Sequence, residues 1–383
     1  MVGRMAIRTQ NLSNRQPVEY ADSLHAEGRS AARSGQEVVV VDHAAVVSAA
    51  GDPETYSSAV SRFLQLPNGL DGDEHAAFRA LIERYLSAEA VAGLADDFAA
   101  TAARVVGERL TGDEVELDAV SELGAVFSVR AMMDWLGWPV ALESRLLGWV
   151  LENNAATRSG DLERTAAVAK AFDDIIREVV GGIWEEDTVT AQLVDDDSLG
   201  RPLGFNEVVS ILRNWTGGDL SSMAYSIGVI LHGLAEMPAL QDRLRSGVGE
   251  AEATANIDEL LRIDDPFVSN RRVTTCPVEL GGEELPVGTR VRLHWTGANR
   301  DPDVFTEPDA FDPHGNAGNN LVWGSGPHVC PGKTLSMVEL RSFLRELLAR
   351  AEVLPAGEEN AEREIHPVGG WSARPVKLRV RKS

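Results

Sequence analysis

The stretch that decides the reading is Trp323-Gly324-Ser325-Gly326-Pro327-His328-Val329-Cys330-Pro331-Gly332. Glycine and proline punctuate it as a loop, and a helical pattern follows from Gly332 to about Ala351. Cys330 therefore stands just before a helix N-terminus. Backbone N–H groups there can donate to sulfur, and the helix dipole acts in the same direction, so a thiolate is favoured.

The segment resembles the haem-binding loop of the cytochrome P450 family, Phe-x-x-Gly-x-x-x-Cys-x-Gly. Gly326, Cys330 and Gly332 match, while Trp323 replaces the Phe and adds an indole N–H that needs a partner. The resemblance implies haem b, with Cys330 as the ligand to iron. A thiolate in that place pushes electron density across the iron and favours O–O cleavage. Gly326 and Gly332 are expected to let the backbone pass close to the flat macrocycle.

The likeness continues through almost the whole chain. Glu259-Leu260-Leu261-Arg262 matches the family's Glu-x-x-Arg, whose members share a helix face and can form a charge-assisted bridge. Asn299-Arg300-Asp301-Pro302 and Phe311-Asp312-Pro313 look like the family's meander. His75 and Arg79, one helical turn apart, together with Arg272 and His328, are the cations the resemblance assigns to the haem propionates; Arg271 is the lesser claimant.

One segment departs from the family pattern. Its long central helix usually carries Ala/Gly-Gly-x-Asp/Glu-Thr, an acid–alcohol pair that relays protons to bound oxygen. Here the chain reads Asn214-Trp215-Thr216-Gly217-Gly218-Asp219-Leu220-Ser221-Ser222. Taking Asp219 as the acid puts Leu220 at the alcohol, and taking Ser221 as the alcohol puts Leu220 at the acid. Counting back from Pro238 puts Ser222 at the alcohol and Ser221 at the acid, with Asp219 earlier. The last register is preferred because a helix has fixed rise. Proton delivery is then expected to rest on Ser222, with Ser221 and Asp219 as helpers, unless the serines only bond back to the preceding turn.

By the same resemblance the substrate pocket draws on Phe63, Leu64, Asn214, Gly218, Phe267, Val268 and Trp371, mostly apolar as a small hydrophobic molecule requires. Arg84 and Lys333 are expected on a locally basic face that receives a ferredoxin or flavodoxin-type donor with its reductase. No cysteine cluster or Gly-x-Gly-x-x-Gly turn supplies a redox module within the chain, so electrons are expected from separate proteins.

Composition agrees with a large globular chain: 383 residues, 44% hydrophobic, net charge −23, two distant cysteines. The negative charge argues against a nucleic-acid partner. No apolar run at the N-terminus is long enough for a membrane anchor, so a cytoplasmic protein of the soluble bacterial type is expected. No linker or repeat divides the chain, and one domain over 1–383 is expected, with a helix-rich core at about 75–263 and 332–351.

Helical patterns run over His75–Tyr85, Val91–Leu110, Val120–Trp135, Ala141–Ala156, Leu162–Trp184, Asn206–Glu236 and Ala251–Ile263. Strand-like runs cluster at about 37–42, 268–293 and 352–380. The fold class is mainly α with a small β-rich part. The function expected from the resemblance is a haem-thiolate monooxygenase that hydroxylates or oxidatively dealkylates a small, mostly apolar molecule. Two alternatives stay open: unusual haem chemistry (peroxide-driven oxidation, dehydration, rearrangement), because the acid–alcohol pair is altered, or a non-catalytic haem-binding or gas-sensing protein.

Overall fold

The structure, a computed structural model, describes residues 7–182, 184–185 and 187–381. Its contacts fall into two compact units. The first comprises the described residues up to Arg79, then Asp258–Pro331 and Glu364–Gly369. The second comprises Ala80–Ile257, Gly332–Arg363 and the described residues from Gly370.

The first unit is built on a five-stranded sheet. Glu37–Val40 and Arg290–His294 run parallel at its centre, pairing Val38 with Val291 and Val40 with Leu293. Ala31–Ser34 pairs with Glu37–Val40, Ser269–Thr274 with Arg290–His294, and Tyr56–Ser57 closes the far edge. One face buries Val38, Val40, Leu293 and Trp295 with Val46 and Ala50 of the helix His43–Gly51. That helix starts at Asp42, whose side chain accepts from the Ala45 amide at 2.7 Å. Gly281-Gly282, both at positive φ, turn Val278–Leu280 back onto Glu283–Leu285.

The second unit is mainly helical. Its longest member, the central helix Phe205–Glu236, starts at Gly204, where the Glu207 carboxylate accepts the Gly204 amide at 2.7 Å. It ends at Met237, in a non-helical conformation before Pro238, and Pro238 opens the next helix, Pro238–Arg245. A wide turn at Ala119–Gly124 lies against the central helix. A Cβ on Gly124 would stand 2.7 Å from the Ala224 carbonyl oxygen, so only glycine allows that approach. Lys333–Arg350 packs on Ala95–Arg109, burying Phe343 against Phe127 of Ala125–Leu136. Glu114–Asp118, Pro375–Val380 and Ala351–Pro355 form a separate antiparallel sheet.

The mainly α class with small sheets holds. Several expected helices differ in extent. Val91–Leu110 is interrupted: Ala88–Val91 and a tight turn at Ala92–Leu94 precede Ala95–Arg109. Leu162–Val180 stops short of Trp184, and the expected extension crosses Ile183, which lies outside the described residues. Among the described residues no single helix is long and apolar enough to cross a membrane, while Phe205–Glu236 with Pro238–Arg245 passes by length and composition only as a pair bent by 109°.

Candidate haem site

The cysteine loop is fixed from several sides within the first unit. The Cys330 amide donates to the Trp323 carbonyl at 2.9 Å, and the Val329 amide to the Gly326 carbonyl at 3.0 Å. Arg79 donates to the Val329 carbonyl at 2.6 Å. Trp323 finds its partner in Asp258, whose carboxylate accepts the indole N–H at 2.6 Å. Cys330 is half-buried, and Gly332 caps the helix Lys333–Arg350. Cys276 is free and exposed.

Gly326 has a reason for being glycine other than the expected one. Its φ is +72°, and a Cβ there would stand 2.3 Å from the Ala50 carbonyl oxygen at the end of His43–Gly51. Close approach to the neighbouring helix, within the protein, already demands it. Gly332 has φ −83° and ψ 0°, an ordinary right-handed conformation.

Four of the expected cations belong to the same unit as this loop. The His75 and His328 rings lie 4.1 Å apart, and both side chains are largely enclosed. His328 meets the Ser58 hydroxyl at 3.0 Å and Asp71 at 3.4 Å. Burial, then His75 and Arg272, push the His328 imidazole down to about 4, against the opposing pull of Asp71. Arg272 is buried, and burial lowers its pKa while Asp71 opposes. Its side chain donates to the Arg271 carbonyl at 2.8 Å. Arg271 instead pairs with Glu37 at 2.8 Å.

This cluster fits a carboxylate-bearing cofactor. Two imidazoles and a buried guanidinium press on one another with Asp71 as the acidic group acting on them. An anionic ligand would relieve that repulsion and supply acceptors to donors already removed from water. A half-buried thiol in the adjoining loop adds the soft ligand that haem iron takes.

Also in this unit, Glu259 and Arg262 form a fully buried two-pronged bridge, with both N–O distances 2.8 Å. Arg262 also donates to the carbonyls of Asn299, Pro308 and Ala310, and Phe305 lies against its guanidinium. Glu259 accepts from the Asp312 amide and the Asn316 side chain. One ion pair thus pins the irregular segment 299–316 by its own backbone. Arg300 adds bonds to Asp22 and Asp309.

In the second unit, the central helix shows an accessible stripe on an otherwise buried rod. Asn214, Gly218 and Ser222 are spaced by four, and Gly217 and Gly218 are exposed mid-helix. A Cβ added at Gly218 would meet nothing within 4 Å. The Ser222 hydroxyl donates back to the Gly218 carbonyl, so at rest it bonds to the preceding turn. Ser221 is buried and accepts from Asn153 at 3.3 Å. Asp219 is buried too, and burial pushes its carboxyl up to about 7, with Glu339 opposing through a hydrogen bond.

The other expected residues divide by burial. In the first unit Phe63, Leu64 and Phe267 expose apolar surface, whereas Val268 is core and its carbonyl accepts from the Trp295 amide at 2.8 Å. In the second, Trp371 is buried with the Arg363 and Arg374 guanidiniums 3.7 and 4.4 Å from its ring centre. Arg84 reaches Asp196 at 3.2 Å, so part of its charge is offset; Lys333 is half-buried at the start of its helix. Sequence reasoning passes over Asp71, Asp258 and Glu339. Glu339 has a signal: it falls on a helix face shared with Leu335 and Phe343, four residues to either side and both buried.

Comparison with known proteins agrees with these features. The family model described as Cytochrome P450 matches residues 203–380. Cyclomarin C epoxidase CymV of Salinispora arenicola is 30% identical over 326 residues, covering 80% of this chain and 81% of that protein. Erythromycin C-12 hydroxylase of Saccharopolyspora erythraea is 26% identical over 330 residues, 81% of each. A solved structure of a mutant of P450 EryK in complex with erythromycin B superposes with a TM-score of 0.83 at 23% identity, covering 96% of this chain and 97% of that one. With its fold, its loop and its relatives in agreement, the chain belongs to the cytochrome P450 family and is a cytochrome P450 monooxygenase.

Proposed function

We propose that the protein uses dioxygen and two electrons, delivered by a ferredoxin or flavodoxin-type donor with its reductase, to oxidise a small, mostly apolar molecule of secondary metabolism or catabolism. Hydroxylation and oxidative dealkylation are the expected outcomes, and the epoxidase relative adds epoxidation. When bound as haem b, the cofactor supplies the chemistry that activates dioxygen.

In this reading Cys330 holds the iron, and His75, Arg79, Arg272 and His328 hold the propionates. Arg79 does so while bracing the Val329 carbonyl. Phe63, Leu64 and Phe267 offer apolar surface to the substrate, and Asn214 offers an amide on the accessible stripe. Val268, Gly218 and Trp371 are the remaining residues that the resemblance assigns to substrate binding, and Lys333 with Arg84 meets the electron donor.

The observation that carries the reading is the stripe itself, an open strip with one hydroxyl at its end. Ser222 bonds to Gly218 at rest, so delivering its proton requires the hydroxyl to rotate away from that carbonyl. Ser221 and Asp219 lie beside it in the buried face, from which the proton can be restored.

The test is aerobic turnover of a substrate found by optical titration of the ferric protein, with wild type beside Ser222→Ala. The variant is expected to consume electrons at a similar rate while product per electron pair falls several-fold. Unchanged coupling removes Ser222 from proton delivery. Product formed under strict anaerobiosis without electrons overturns the oxygen-dependent reading.

A further inference from the structure

Two carboxyl groups meet inside the second unit where the central helix packs on Lys333–Arg350. Asp219 and Glu339 are both buried, and they face each other within hydrogen-bonding reach. Neither is in an ion pair: among the described residues one Asp219 oxygen and both Glu339 oxygens lack any donor other than the opposing carboxyl group. The charged side chains nearest along the two helices are engaged elsewhere. Arg213 is bonded to Asp173, and Arg341 to Thr254 and Glu250. Among the described residues, Glu339 answers to burial and Asp219, and Asp219 to burial and Glu339.

Near neutral pH two carboxylates do not both stay charged in such a place, since no cation offsets their repulsion, and the doubly charged pair forms only briefly or at higher pH. Two neutral acids can pair through ordinary neutral O–H···O bonds, but a carboxylic acid facing a carboxylate makes a charge-assisted bond, which is shorter and stronger. A single proton between them satisfies both groups with one strong hydrogen bond.

We propose that Asp219 and Glu339 hold one proton between them, carboxylic acid facing carboxylate, as the acid of this central helix in place of the missing acid–alcohol motif. This rests on the proton-delivery reading above and deepens it by adding Glu339, which acts through Asp219 as a positioning residue. When the pair gives up its proton its charge goes from −1 to −2, and uptake of one proton from water restores it. Burial raises both carboxyl groups, and the facing Asp219 raises Glu339 further, which agrees with this.

The experiment is infrared difference spectroscopy of the resting ferric holoenzyme near neutral pH, wild type against the isosteric double variant Asp219→Asn/Glu339→Gln, in H2O and D2O. One carboxylic-acid carbonyl band present only in wild type, shifted by deuterium, is the expected result. No such band, or two of them, overturns the proposal. If the double variant does not fold, wild type alone decides: the acid band must fade as pH is raised, and a band insensitive to pH overturns the proposal. No turnover is involved, so this outcome is separate from the fate of Ser222. For the link to function, Glu339→Gln is expected to flatten the pH profile of product per electron pair, which a purely structural role would leave unmoved.

Discussion

Cys330 is a single sulfur, and its setting depends on residues that bond around it. Arg79 and Trp323 fix the loop by a carbonyl and a carboxylate, and Gly326 lets it lie against Ala50. The Glu259–Arg262 pair is the strongest support of the segment leading into the loop, because both side chains are fully buried and every prong is used. Removing one partner leaves the other charge buried without compensation. Arg262→Ala is therefore expected to destabilise the protein by about 3–5 kcal/mol. Denaturant midpoints would show this, and a loss below about 1 kcal/mol, the size of an exposed ion pair, would contradict it.

At the level of elements, His294 and His366 approach each other in the first unit, with ring centres 5.7 Å apart. His294 caps the turn Trp295–Ala298 through Nδ1, which accepts the Gly297 amide at 2.9 Å. Burial first, then Arg292 and His25, lowers His294 to about 3; burial first, then His294 and Arg292, lowers His366 to about 2. A depressed imidazole binds fewer protons in the folded state than in the unfolded one. Its contribution is whole above the ordinary value of 6.5 and is lost as pH falls toward 3. Each group then costs up to about 1.4 kcal/mol per pH unit within that window. Stability should fall as pH drops from about 6.5 toward about 3, and His294→Asn, which keeps a capping acceptor, should make the fall shallower. An unchanged slope in denaturant midpoints against pH would show that His294 titrates normally. Elements with a strong period or an unambiguous stop are legible in the sequence: Phe205–Glu236 before Pro238, and Glu250–Ile263 with its Glu-x-x-Arg. The helices Pro17–Ala26 and His43–Gly51 are not. They are short, and His43–Gly51 is apolar nearly all round, so no helical period stands out; their caps (Pro17 and Asp42) are the surer signal. Glu114–Asp118 escapes too, because its partner strand Pro375–Val380 lies at the far end of the chain. The same distance in sequence hides the meeting of Asp219 with Glu339.

Across the whole molecule, a net charge of −23 coexists with the guanidiniums of Arg79 and Arg272 and the imidazoles of His75 and His328 in the unit that carries the cysteine loop. That contrast is what a protein needs if it must stay soluble in isolation yet hold an anionic cofactor. Both the cluster and the loop beside it matter to function only if Cys330 is the iron ligand. The absorption spectrum of the reduced, carbon-monoxide-bound holoprotein reads that ligand. Wild type is expected to show the long-wavelength Soret band of thiolate-ligated haem, and Cys330→His to lose it in favour of a band at the position of imidazole-ligated haem. A wild-type protein absorbing at the imidazole position, or a Cys330→His protein that keeps the thiolate band, would contradict this assignment.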